Sequence, residues 1–111
     1  KDALVYKLCK QAKDNGVDFE MCGGYPGWAY KAESPLRETM IRVFEEKRLC
    51  KPTVMGIHAG LECGVFSQKL PGLDCVAIGP DSLDIHSTKE RLDLDTAKYC
   101  FDYLAEVLKQ L

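Results

Sequence analysis

The sequence predicts an α/β fold. Apolar residues recur at helical spacing near both ends, two short runs between them are apolar throughout, and turn-forming residues stand between these segments. A helix–strand–loop–strand–loop–helix order favours helices layered on a sheet, and no internal repeat or low-complexity segment competes with that reading.

The first predicted helix runs from Ala3 to Asp14. Leu4, Val5, Leu8, Cys9 and Ala12 share its apolar face, and Asn15-Gly16 supplies the stop. From Val17 to Cys22, Val17, Phe19 and Met21 alternate with Asp18 and Glu20, as in a strand with one covered face, and Gly23-Gly24 ends it. Pro26-Gly27 then forces a turn flanked by Tyr25, Trp28 and Tyr30, where a domain boundary is expected. Ser34 as N-cap and Pro35 at the first helical position open a second helix, which should end between Lys47 and Leu49. The runs Thr53–Ile57 and Cys75–Ile78 are expected to be strands buried on both faces. Asp93 caps the last helix, whose stripe of Leu94, Ala97, Phe101, Leu104, Leu108 and Leu111 is expected to face the core.

Composition narrows the function classes. The 111 residues, 46% of them hydrophobic, suffice for one domain of ordinary size. Fifteen Lys and Arg against seventeen Asp and Glu leave a formal charge of −2 with no basic stripe, so nucleic acid is not an expected partner. No apolar run approaches the roughly 18 to 20 residues that a membrane-spanning helix needs, so no membrane partner is expected. Lys1-Asp2-Ala3-Leu4 shows neither initiator Met nor signal pattern, which reads as a soluble piece of something longer. Cys9, Cys22, Cys50, Cys63, Cys75 and Cys100 form no C-x-x-C pair, and reduced, mostly buried thiols in a cytosolic protein are expected.

The loops after the two apolar runs hold both histidines, and open α/β sheets bind ligands beyond the carboxyl ends of their strands. The first reads His58-Ala59-Gly60-Leu61-Glu62-Cys63-Gly64. Its glycines permit close approach of backbone to a ligand, and Glu62 offers an anion to an amine or a metal. The second runs from Gly79-Pro80 to His86-Ser87. By residue chemistry alone, a lone imidazole in a loop is more often a hydrogen-bonded structural group than a ligand. An acid opening a helical turn is favoured by the helix dipole whatever else it does. Cys63 near His58 is no evidence of the geometry a thiol nucleophile needs.

Taken together, Gly24-Tyr25-Pro26-Gly27-Trp28, Ser34-Pro35, the HAGLECG heptad at His58–Gly64 and the Gly79-Pro80 to His86-Ser87 spacing resemble the end of Xaa-His dipeptidases, cytosolic relatives of carnosinase. The resemblance is collinear from Gly23 to Leu111. It implies residues 1–28 as the last helix and strand of a lid domain, and 29–111 as the carboxy-terminal half of a three-layer catalytic domain with helices on a mixed sheet. It further implies a cytoplasmic di-zinc enzyme acting on dipeptides ending in His, with homo-oligomers expected.

By that resemblance His86 is a zinc ligand, steadied through its other ring nitrogen by an acceptor such as Asp81 or Asp84. His58, Gly60 and Glu62 line the substrate pocket, and the His86 loop and the Glu62 loop are expected to lie together at the ends of neighbouring strands. Relatives often carry Pro on both sides of the His-Ser pair, whereas Ile85 and Thr88 stand there here. The family's H-x-D motif, bridging Asp, Glu-Glu pair and remaining acidic ligand belong to the first half of the catalytic domain. No catalytic residue is therefore expected within this chain, and by itself it is expected to be inactive. Two other classes share these features: a non-catalytic dimerisation or regulatory module, and an amidohydrolase of the same superfamily acting on acyl-amino acids.

Overall fold

A computed structural model describes residues 1–57 and 59–111. Four helices and one two-stranded ladder follow one another: α1 (Asp2–Asp14), α2 (Pro35–Arg48), α3 (Glu62–Lys69), β1 (Ser82–Leu83), β2 (Arg91–Leu92) and α4 (Leu94–Lys109). The fold is mixed and helix-rich.

The helix ends follow from local chemistry. Ser34 Oγ accepts from the Arg37 amide at 3.0 Å, Pro35 stands where no intrahelical N–H bond is lost, and Leu49 closes α2 in the left-handed conformation at φ 55°. Asp93 Oδ1 accepts from the Thr96 amide at 2.9 Å and opens α4 in the same way. Asn15 and Gly16, the latter at φ 64°, end α1.

The core lies between α2 and α4. Met40, Val43, Tyr103 and Val107 are buried there, with Leu36, Phe44, Val76 and Tyr99 packed around them. Tyr103 donates its hydroxyl to the Met40 carbonyl at 2.7 Å, and its ring stacks on Tyr99 with centroids 6.1 Å apart. Phe44 meets both rings edge-on, at 6.3 and 5.9 Å. Arg48 lies over the outer ring, 3.8 Å from the Tyr99 centroid, so the seam ends in a cation–π contact.

Asp74 ties the chain after α3 to the start of α2. Its Oδ2 accepts from Ser34 Oγ at 2.9 Å and from the Leu36 amide at 3.1 Å. Burial opposes its charge, but the Ser34 and Leu36 hydrogen bonds, with Lys31 and Arg37 nearby, outweigh that and hold its carboxyl below the ordinary 3.8. Arg37 donates to the Lys31 and Ala32 carbonyls, both at 2.6 Å, and covers Tyr30.

Several sequence expectations need correction. Val17–Cys22, Thr53–Ile57 and Cys75–Ile78 form no ladder; among the described residues only Ser82 with Leu92 and Leu83 with Arg91 pair, antiparallel. The two runs expected to be buried on both faces are largely open: Met55 is 69% and Ile57 58% exposed, and only Val76 packs on the core. Hydrophobic content alone cannot make a strand, because each one needs a neighbour for its backbone N–H and C=O groups. The predicted stripe of α4 also faces outward, with Leu94, Phe101, Leu104, Leu108 and Leu111 all exposed. The buried face is Tyr99, Tyr103 and Val107, which recur at four-residue spacing on another side of the helix. All six cysteines are free and none is buried; Cys22 and Cys50 are exposed.

Extent follows from these open segments. The radius of gyration is 19.0 Å, against about 13 Å for a compact domain of this length. Accessible surface totals 9351 Å², where a compact monomer of 12.4 kDa exposes about 6100 Å². A cleft of about 540 Å³ opens beside the core, walled by Phe44, Arg48, Pro52, Ile78 and Tyr99. No described helix is long and apolar enough to cross a membrane.

Two outcomes follow for stability. Val43 is completely buried, so Val43→Ala should lower the unfolding free energy by about 2 kcal/mol in chemical denaturation, from the lost methyl groups and the void they leave. The depressed carboxyl of Asp74 contributes stability that is present above its unfolded value and is lost as pH falls through its folded one. Denaturation midpoints of the wild type and Asp74→Asn should therefore differ at neutral pH and converge once the pH is well below 3.8.

Candidate functional site

His86 stands at the apex of a hairpin built from its own sequence. β1 and β2 hold the base, and Arg91 closes it by an ion pair with Asp84 Oδ2 at 3.0 Å. Ser87 donates its amide and its hydroxyl to the Asp84 carbonyl, at 3.1 and 2.7 Å, and its Oγ accepts from the Lys89 amide at 3.1 Å. The Glu90 amide reaches the Ser87 carbonyl at 3.2 Å. The hairpin is moored to α4 by Asp81, whose amide donates to Thr96 Oγ1 and whose carbonyl accepts from the Asp93 amide, both at 2.9 Å.

Two non-glycine residues of this apex are left-handed, Asp84 at φ 53° and His86 at φ 65°. Each such residue costs on the order of 1–2 kcal/mol through Cβ–carbonyl crowding, so the polar bonds of the loop offset a conformation that His86 would not adopt alone. The His86 amide donates to Glu90 Oε2 at 3.1 Å, and its side chain is exposed. Asp84, one of the two acceptors expected for the imidazole, is instead taken by Arg91, and no hydrogen bond joins His86 to Asp81 among the described residues.

The second candidate segment lies around the start of α3. His58 lies outside the described residues, and Ala59–Leu61 leads into α3, a short helix that the sequence reading had only as a helical turn at Glu62. Gly60 and Gly64 face the chain's own Tyr25-Pro26 segment. A Cβ on Gly60 would lie 2.7 Å from the Tyr25 ring, and one on Gly64 would lie 2.5 Å from the Pro26 carbonyl oxygen. These glycines thus bring backbone close to the chain itself in the structure. Glu62 opens α3 and is exposed, where the helix dipole favours it.

Cys63 is half-buried on α3. Burial, followed by the neighbouring Cys75 thiol, pushes its thiol up, which disfavours the thiolate a nucleophile would need. Cys75 in turn accepts from Ser67 Oγ at 3.9 Å. No hydrogen bond or ion pair among the described residues joins Gly60 or Glu62 to the His86 hairpin, so the expected juxtaposition of the two loops is carried by no direct contact here. No group of three His, Cys, Asp or Glu able to hold a metal occurs among the described residues. Sequence reasoning missed the clamp residues Glu90 and Arg91, for which only their spacing from His86 could have served as a signal. It also missed the packing of Tyr25-Pro26 on the two glycines, which no local pattern announces.

No family model matches. The chain is 37% identical to the cytosol non-specific dipeptidase of Escherichia coli strain K12, an alignment that takes in all of this chain and 23% of that protein. It superposes with a TM-score of 0.74, at 33% identity, on the crystal structure of aminoacylhistidine dipeptidase from Vibrio alginolyticus, covering 98% of this chain and 22% of that one. The chain therefore spans less than a quarter of the length of the dipeptidases it resembles.

The glycine contacts are testable. Gly64→Ala must move the Pro26 backbone or α3, and should lower stability by about 1–3 kcal/mol in thermal melts, whereas Gly56→Ala, where a Cβ meets open space, should change it little.

Proposed function

We propose that this chain is the carboxy-terminal part of a dipeptidase that depends on zinc and hydrolyses Xaa-His-type dipeptides. The observation that carries the reading is the end-to-end similarity to two dipeptidases at 37% and 33% identity, with His86 on an exposed, internally braced hairpin. In this reading residues 1–28 end a lid domain and residues 29–111 form one half of a three-layer catalytic domain. The open Thr53–Ile57 and Cys75–Ile78 segments and the outward stripe of α4 suit that assignment, because a sheet and helix layer contributed by more chain, or by a second copy, would cover them. A cytoplasmic setting accords with the name of the Escherichia coli relative.

Among the described residues the donor chemistry offers His86 as one zinc ligand. Neutral imidazole is a common zinc ligand, His86 presents its ring to solvent, and the described residues gather no group of three donors. The remaining ligands of a two-zinc centre would come from outside these residues. Zinc, when bound, would supply Lewis-acid polarisation of the scissile carbonyl and a water of lowered pKa. The part of this chain is to hold one imidazole at a defined place and to line the substrate pocket through the His58, Gly60 and Glu62 loop, where Glu62 offers a carboxylate to the peptide amine. The chain by itself has no general base in this scheme and is inactive.

Removing one ligand from a complete centre undoes its geometry, whereas trimming a pocket group leaves the metal in place. His86→Ala in the full-length protein should lose zinc and slow hydrolysis of a dipeptide ending in His by several orders of magnitude, while His58→Ala keeps its zinc and is milder. Full zinc occupancy in His86→Ala, by elemental analysis, would overturn the assignment.

A further inference from the structure

We propose that Glu90 is a positioning residue for His86, its carboxylate holding the His86 amide so that the imidazole projects from a fixed left-handed backbone; this rests on the reading of His86 as a metal ligand. The argument starts from the apex itself. His86 adopts φ 65° without being glycine; histidine enters that region more readily than most side chains but still at a cost, which the bonds of the loop offset. Its amide donates to Glu90 Oε2 at 3.1 Å.

Glu90 is placed for this by its own amide, which donates to the Ser87 carbonyl at 3.2 Å, and by its neighbour Arg91, which is paired in the ladder with Leu83 and bridged to Asp84. The clamp therefore spans the apex from Asp84 to Arg91 and closes on the His86 amide. A charged acceptor on a backbone N–H is stronger than a neutral one, which suits a loop exposed to water. It also supplies the rigidity that prolines beside the His-Ser pair would otherwise bring, at a place where Ile85 and Thr88 stand instead. Groups that steady a metal ligand commonly change metal affinity by 10–100-fold when removed, although they never touch the metal.

The test uses the full-length protein and zinc alone as probe, with two readouts: zinc affinity by calorimetric titration of the metal-free protein, and hydrogen exchange of the 84–91 segment in that same metal-free state. Glu90→Ala should weaken zinc binding roughly 10–100-fold and speed exchange at the apex. Glu90→Gln, whose amide oxygen still accepts from the His86 N–H, should stay close to wild type in both, which separates positioning from a loss of fold. His86→Ala, run alongside, should abolish binding at that zinc. If His86→Ala loses zinc but Glu90→Ala binds it with wild-type affinity, the positioning role is overturned while the ligand assignment stands. If His86→Ala keeps zinc, the ligand assignment falls and the positioning role falls with it.

Discussion

The hydrogen bond from the Tyr103 hydroxyl to the Met40 carbonyl, at 2.7 Å, sits within the seam between α2 and α4 that holds the buried core. Around it Val43, Val107 and the rings of Phe44 and Tyr99 exclude water, and burial pushes the Tyr103 hydroxyl's pKa up, so it remains a donor across the ordinary pH range. With α2 and α4 fixed against one another, their amino-terminal caps become anchor points. Asp74 joins the chain after α3 to the first turn of α2, and Asp81 joins the His86 hairpin to the first turn of α4.

A seam of four buried residues is a small core for 111 residues, and the excess surface shows where it stops. The runs at Thr53–Ile57 and Cys75–Ile78 carry the composition of central strands but have no ladder partner among the described residues, and the leucines of α4 are exposed. Both features leave apolar surface uncovered. The chain nevertheless superposes with a TM-score of 0.74 on a dipeptidase more than four times as long.

The two candidate segments are held by different physics. The hairpin around His86 is braced by charges and hydroxyls within eight residues of sequence, so its shape is local and asks little of the core. Gly60 and Gly64, in contrast, are defined by a distant segment, Tyr25-Pro26, which approaches so closely that no side chain fits between. A substitution in the first place changes how an imidazole is aimed; one in the second changes how the chain closes on itself.

Local chemistry made the helices legible in the sequence. Ser34-Pro35, Asp93 and Asn15-Gly16 satisfy or terminate helix ends through atoms within four residues, and those ends lie where they were expected. The collinear run of motifs to His86 was legible too, and pointed to the same dipeptidases that whole-chain comparison finds. Only tertiary structure decided which face of α4 is buried, because that helix is apolar on two sides and the choice belongs to α2. It also decided that the three strand-like runs stay unpaired and that Glu90 grips the His86 amide. Helix caps are satisfied by neighbours in sequence, whereas a strand and a buried face are completed by neighbours in space, and the order of residues does not name those.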